Sequence, residues 1–264
     1  MKKYLVIGNP IEHSLSPKLH NYWIKNNNIN AIYKKQKLSE NEIESLISEV
    51  KKGKLNGINV TVPFKKVVIP YLDRLSLQAE STQSVNTIYL DEGKVIGDNT
   101  DISGFESGIK KSKFKVTGKK ILILGSGGVV PSIIFVLNKM KVSEITISNR
   151  TKDKAKNLKD LFKNIKIIDW GEITEFDMII NATSLGLNKE DQVNLDFSRV
   201  GKNKFFYDVI YNPKETNFLK IGKKIGSKTE NGKLMFIYQA FTAFKVWHGV
   251  EPEINNEVLE LLDS

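Results

Sequence analysis

The sequence predicts an α/β protein of two domains, one of them a doubly wound parallel sheet. Three observations carry this. Short β-rich runs alternate with helical stretches along the chain. The second half keeps a strand–helix–strand rhythm, βαβαβ, which closes a parallel sheet with helices on its faces. And 264 residues suffice for one large domain or two small ones with real cores.

The elements follow in order. Tyr4-Leu-Val-Ile-Gly8 reads as a buried strand, and Ser16-Pro17 opens a helix, with serine as N-cap and proline at the first helical position. Residues 31–38 read as a strand and 39–52 as a helix opened by the Ser39/Glu42 box. A strand over 57–62 stops at Pro63. Runs 85–90 and 94–97 pair as a hairpin around Asp91-Glu92-Gly93. Strands follow at 120–124, 144–148, 176–181 and 205–210, with helices from the glycine turn to about 140 and over 151–162. The last long helix, 232–247, is apolar on more than one face and should be largely buried, between two domains.

Composition narrows the function. Hydrophobic residues make 40% and charged residues 27%, an ordinary balance for a soluble globular protein. No apolar run approaches the ~20 residues needed to span a bilayer, so a membrane partner is not expected. The Met-Lys-Lys start followed by four apolar residues is too short for a secretory signal, and no lipidation or retention motif is visible. There is no cysteine, which excludes disulfides and thiolate metal sites and suits a reducing, cytoplasmic setting. His13, His20 and His248 are too scattered for a zinc set, so no metal is expected. The net charge of +10 rests almost wholly on lysine; Arg74, Arg150 and Arg199 are the only arginines. Nucleic-acid readers lean on arginine forks, so nucleic acid is not the expected partner, and a salt-dependent gel shift tests that role. A positive field still concentrates small anions.

Gly125-Ser126-Gly127-Gly128-Val129-Val130 follows a strand and opens a helix. That context makes a glycine fingerprint credible: Gly125 permits the tight turn, Gly127 lets backbone approach a pyrophosphate, and the helix N-terminus faces it. The third fingerprint position holds Val130 in place of glycine or alanine. At the end of the next strand stand Asn149, Arg150 and Thr151, with no acid for a ribose 2′-hydroxyl. A guanidinium there pairs with a 2′-phosphate, which favours NADP over NAD.

The first region carries polar residues at strand ends: Ser14, Ser16, Thr61, Lys65, Asn86 and the run Asn99-Thr100-Asp101. Hydroxyls beside a helix N-terminus suit a carboxylate, Asn and Asp suit sugar-like hydroxyls, and a Lys beside an Asp suits proton transfer. Taken singly these residues have plainer readings. Ser16 caps a helix, Asp101 caps another, and Lys65 is one lysine among many.

The ordered set is more specific. Gly8-Asn-Pro-Ile-Glu-His-Ser-Leu-Ser-Pro-Lys-Leu-His-Asn21 resembles the N-terminal signature of the shikimate dehydrogenase family. Asn59-Val-Thr-Val-Pro-Phe-Lys65, Val85-Asn-Thr87, Gly97-Asp-Asn-Thr-Asp101, Asn149-Arg-Thr151, Asn181-Ala-Thr-Ser184, Tyr207-Asp-Val-Ile-Tyr-Asn-Pro213 and the segment from Gly232 through Gln239 to Trp247 are similar too. The resemblance implies that Ser14 and Ser16 hold a substrate carboxylate, that Thr61, Asn86, Asp101 and Gln239 bind ring hydroxyls, and that Tyr211 lines the same pocket. It implies Lys65 and Asp101 as the catalytic pair for hydride exchange between NADP and shikimate or 3-dehydroshikimate. It places the pyrophosphate on residues 125–130, the adenosine phosphate on Asn149, Arg150 and Thr151, and the nicotinamide near Val209 and Gly232. Ser126, Val129 and Val130 depart from the family's common Gly-Ala-Gly-Gly-Ala. The expected architecture is a discontinuous α/β substrate domain, residues 1–101 plus 236–264, with an inserted Rossmann-like NADP domain, 102–235. The partners expected are small molecules, and the chain is a monomer or homodimer. A quinate or aminoshikimate paralogue and a non-catalytic ligand-binding descendant are the alternatives. The intact Lys65 and Asp101 weigh against the second.

Overall fold

The computed structural model describes residues 1–188 and 190–263. The chain runs β1 (Lys2–Gly8), α1 (Ser16–Asn26), β2 (Ala31–Lys37), α2 (Ile43–Lys51), β3 (Gly57–Val60), β4 (Arg74–Leu75), α3 (Leu77–Thr82), β5 (Thr87–Asp91), β6 (Lys94–Asp98) and α4 (Asp101–Ser112). It continues with β7 (Lys120–Leu124), α5 (Val130–Lys139), β8 (Glu144–Ser148), α6 (Lys152–Leu161), β9 (Ile165–Ile168), β10 (Met178–Asn181), β11 (Phe205–Asp208), α7 (Asn217–Lys224), β12 (Lys228–Glu230), α8 (Lys233–His248) and α9 (Asn256–Leu261). It divides into two compact units: Met1–Gly104 with Ile237–Ser264, and Phe105–Phe236.

The first unit holds a mixed sheet in the order β2-β1-β3-β5-β6-β4. Strands β1, β2 and β3 are parallel, β5 runs against them, and β6 turns back. The β5–β6 hairpin closes on Glu92 and Gly93, with φ of 46° and 74°. Both angles are left-handed, as a tight two-residue hairpin turn requires. Strands β1 and β3 pack one apolar face on α2, where Leu5, Ile7, Ile43, Ile47, Val50, Ile58 and Val60 share one core. Gly57 lies under the Trp247 indole; a Cβ there would stand 2.4 Å from its nitrogen. Gly249, at φ 67°, follows α8 and ends it in a left-handed turn.

Local details differ from the sequence expectation. Leu15, not Ser16, occupies the N-cap of α1, and no side chain caps it. Ser16 and Pro17 are the first two helical residues. The reason is Ser14, whose hydroxyl accepts the Ser16 N–H at 3.3 Å one step earlier in the chain. The Ser39/Glu42 box is present, but it opens a 3-10 turn over Glu40–Glu42 before α2.

The second unit is a fully parallel sheet in the order β12-β11-β10-β7-β8-β9. Counted within the unit this is 3-2-1-4-5-6 read from its far edge, the arrangement of dinucleotide-binding sheets. The order reverses between β7 and β10, so the crevice at the carboxyl ends of those two strands is where such sheets take ligands. Leu122, Leu124, Ile179, Phe206 and Phe218 fill one face of the core. Strands β10 and β11 are shorter than the runs 176–181 and 205–210, because only Met178–Asn181 pair with β7 and only Phe205–Asp208 pair with β10. Among the described residues no helix is long and apolar enough to cross a membrane.

Candidate active site

Sheet topology gathers the polar residues of the first unit. Ser14 and Ser16 follow β1, Thr61 and Lys65 follow β3, and Asp101 follows β6. Asn86 precedes β5, which runs the opposite way. All therefore lie at one edge, the carboxyl end of β1, β3 and β6. Lys65 donates its ammonium to Asp101 Oδ2. The two residues are 8% and 6% exposed, so this ion pair is nearly shut off from bulk water. Such a pair loses much hydration and needs further polar partners to hold it. Asn86 supplies them: its amide Nδ2 donates to Asp101 Oδ1 at 3.0 Å and to Gln239 Oε1 at 3.4 Å. The Thr100 N–H donates to Asn86 Oδ1 at 2.7 Å, which fixes which end of that amide faces Asp101. Lys65, Asn86, Asp101 and Gln239 are thus one contiguous polar cluster. Thr61 stands beside it on the chain, its methyl against Gly8, where a Cβ would come within 2.5 Å. Ser14 and Ser16 sit together at the start of α1, linked by the bond described above.

Three further residues serve the cluster, and none was singled out as a site residue from sequence. Asn59 Nδ2 donates to the Asn86 carbonyl at 3.0 Å and to the Thr87 hydroxyl at 3.1 Å. The Tyr33 hydroxyl donates to Asn59 Oδ1 at 2.7 Å. Thr87 donates in turn to Asn86 Oδ1 at 3.0 Å. An asparagine inside the strand Gly-Ile-Asn-Val was a readable signal, since a buried amide in an apolar strand must be bonded to something.

In the second unit the turn after β7 carries the glycines. Gly125 has φ 106°, and a Cβ there would meet the Ala182 carbonyl at 2.8 Å. Conformation and packing together demand glycine. Gly127 is different: it is exposed, its φ is not left-handed, and a Cβ would meet nothing nearer than 3.9 Å. Nothing among the described residues accounts for glycine at 127, whereas a ligand lying on the backbone would. Ser126, Gly128 and Val129 complete the turn, and the Val130 N–H closes it onto the Gly127 carbonyl at 3.0 Å. Val130 is fully buried, so the third fingerprint position is a packing residue here. No side chain caps α5. A pyrophosphate fits this turn on all these counts.

At the end of β8, Asn149 Nδ2 donates to the Thr151 carbonyl at 2.7 Å. Thr151 stands at the N-cap of α6 with no side-chain capping bond. Arg150 is exposed, and among the described residues its guanidinium has no acidic partner. Val209 follows β11. Gly232 lies against it so closely that a Cβ would fall 2.0 Å from the Val209 carbonyl oxygen. Tyr211, also in the second unit, stacks on Phe236 at 4.3 Å between ring centroids. Among the described residues no group of three or more metal-ligating side chains gathers.

The sheet order and the glycine turn at its switch point define a class: an α/β protein whose second unit has a dinucleotide-type crossover and whose first unit carries a buried Lys–Asp pair. The comparisons with known proteins are more particular. Residues 6–88 match the family model for the shikimate dehydrogenase substrate binding domain, and residues 108–217 match that for shikimate/quinate 5-dehydrogenase. The chain is 59% identical over 262 residues to the NADP(+) shikimate dehydrogenase of Pelagibacter ubique, covering 99% of both chains. It superposes on the Aquifex aeolicus shikimate dehydrogenase with a TM-score of 0.90 at 36% identity, covering 99% of this chain and 97% of that one. The Thermus thermophilus enzyme, crystallised with NADP(H) and shikimate, gives 0.89 at 28% identity, with 99% and 98% covered. The chain belongs to the shikimate dehydrogenase family.

Proposed function

We propose that this chain catalyses the reversible NADPH-dependent reduction of 3-dehydroshikimate to shikimate, a step of aromatic amino acid biosynthesis. The observation that carries the proposal is the buried Lys65–Asp101 pair, oriented by Asn86 and joined to Gln239, in a chain 59% identical to a named shikimate dehydrogenase. The first unit is the substrate domain and the second the NADP domain.

Ser14 and Ser16 hold the substrate carboxylate. Thr61, Asn86, Asp101 and Gln239 take the ring hydroxyls, and Tyr211 lines the same pocket. The dinucleotide supplies the hydride that reaches the ring carbonyl carbon. The Lys65 ammonium donates a proton to the carbonyl oxygen as negative charge develops there, and Asp101 orients it. In the reverse direction Lys65 accepts the hydroxyl proton. Residues Gly125 to Val130 carry the pyrophosphate, and Asn149, Arg150 and Thr151 carry the 2′-phosphate. Arg150 has the fork geometry for that phosphate and no competing carboxylate among the described residues. Val209 and Gly232 form the nicotinamide side. That the Thermus thermophilus relative was crystallised with NADP(H) and shikimate together supports a chain of this fold taking both ligands. A cytoplasmic location is part of the proposal, in keeping with a chain free of cysteine.

The test is spectrophotometric. Purified protein is assayed for shikimate oxidation with NADP+ and NAD+ in parallel and with quinate as second substrate. Shikimate turnover confined to NADP+ supports the reaction and the part of Arg150 together. Turnover favouring quinate or NAD+ would move the chain to a sister activity. No turnover in a folded sample that binds NADP+ would sink the enzymatic reading.

A further inference from the structure

Asp208 ends β11 and is fully buried. Among the described residues its carboxylate accepts bonds only from neutral groups: the Ile210 N–H at 3.0 Å, the Thr216 hydroxyl at 2.6 Å, and the Asn181 amide, shared between both oxygens at 3.1 and 3.2 Å. Among the described residues no lysine, arginine or histidine pairs with it. Burial pushes its pKa up to about 6 while these bonds pull it back, which leaves the group ionised at neutral pH. A buried anion without a counter-ion is expensive, and such groups concentrate where function needs them.

Its position says which function. The carboxylate fixes the Ile210 N–H, and the Ile210 carbonyl accepts the Gly232 N–H at 3.1 Å. Val209 lies between them with Gly232 pressed on its carbonyl. Asp208 therefore sits directly behind the two residues proposed above to face the nicotinamide. The nicotinamide ring is cationic when oxidised and neutral when reduced. We propose that Asp208 is a fixed negative charge that favours the oxidised, cationic form of the cofactor over the reduced form. A bound nicotinamide would gain positive charge on giving its hydride to the carbonyl carbon, with Lys65 giving the proton to the carbonyl oxygen. The same charge thus favours reduction of the ketone. The inference rests on the reading of Val209 and Gly232 as the nicotinamide side.

The experiment is calorimetric titration of NADP+ and of NADPH, without substrate, into the wild type and Asp208→Asn at mildly alkaline pH. The expected result is a rise in the NADP+ dissociation constant of about tenfold, with NADPH changed less than about threefold, the discrimination that loss of one screened charge in the same unit gives. Thr216→Val, which drops the bond to Asp208 and the cap on the Leu219 N–H but keeps the charge, should leave the ratio of the two constants unaltered. Equal weakening of both forms by Asp208→Asn would make the residue a structural anchor and overturn the proposal, as would no change in either. If Asp208→Asn does not fold, Asp208→Ser carries the same comparison. Failure of the wild type to bind either form would instead overturn the cofactor reading itself.

Discussion

Lys65 is one of 40 lysines and arginines in the chain, and what separates it is burial against a carboxylate. A surface lysine gains little from an ion pair, whereas this one is held to Asp101 within a hydrogen-bonded cluster. In the proposed mechanism, removing its ammonium takes away the proton donor and leaves the residues proposed to bind the ring hydroxyls in place. Lys65→Ala should lower kcat by about a hundredfold to ten-thousandfold, with KM for shikimate nearly unchanged, in steady-state kinetics. A kcat within a few-fold of wild type would mean another group moves the proton. Arg150 is its opposite: exposed, without an acidic partner among the described residues, at the end of a strand. Its contribution should appear only with a 2′-phosphate. Arg150→Ala should weaken NADP+ by about tenfold to a hundredfold, the worth of a charge-assisted bond, and leave NAD+ as it was. Equal losses for the two cofactors in a fluorescence titration would contradict a phosphate contact.

Among the elements, the glycine turn after β7 separates what the fold requires from what a ligand requires. Gly125 is demanded twice, by φ 106° and by the Ala182 carbonyl 2.8 Å from where a Cβ would sit. Gly125→Ala should cost both stability and cofactor affinity, with strain of about 1–3 kcal/mol. Gly127 has neither constraint. Gly127→Ala should leave Tm unchanged or slightly raised, since the unfolded chain loses freedom, yet weaken NADP+ by more than about tenfold. Thermal melts run beside cofactor titrations decide it; a large fall in Tm would show that the glycine is structural. This contrast also shows what was legible. The strand–turn–helix around Gly125 was readable because periodicity and turn chemistry are local. The direction of β5, which brings Asn86 to the same edge as Lys65 and Asp101, is a pairing property. The sequence marked the hairpin and the strand over 57–62, but not that β5 pairs antiparallel with that strand. The bonds through Tyr33 and Asn59 join strands 26 residues apart, and no local pattern encodes them. The start of α1 differs from the sequence expectation for a similar cause: Ser14 and Ser16 are both good cap residues, and the fold uses Ser14 to accept the Ser16 N–H.

For the whole molecule, the response to acid follows from which buried groups gain or lose a proton on unfolding. His20 is fully buried, stacked on Tyr33 at 4.2 Å, and neither ring nitrogen has a hydrogen-bond partner among the described residues. Burial, with a smaller contribution from His248, drops its pKa from 6.5 to about 3. Between those values the unfolded chain binds a proton that the folded chain refuses, so stability is full above 6.5 and falls as pH drops toward 3. His248, lowered to about 4 chiefly by burial, acts in the same sense but is only half-buried, so solvent screens it. Asp208 opposes them. Its pKa is raised from 3.8 to about 6, so the folded state binds the extra proton and gains stability as pH falls through that window. The His20 window is the wider and His248 adds to it, so acid destabilisation wins, at up to ~1.4 kcal/mol per pH unit from His20 alone. Because no partner among the described residues uses its ring nitrogens, the aromatic His20→Phe keeps the stack on Tyr33 and removes the titration. Melts followed by circular dichroism should show similar Tm for both proteins near neutrality. At about pH 4.5 the variant should melt about 5–10 °C above wild type, the shift expected of a few kcal/mol in a chain of this size. If both lose Tm with the same slope, acid unfolding is governed by the surface carboxylates paired with lysine, such as Glu106 and Asp73, which are lowered and lose their pairs on protonation.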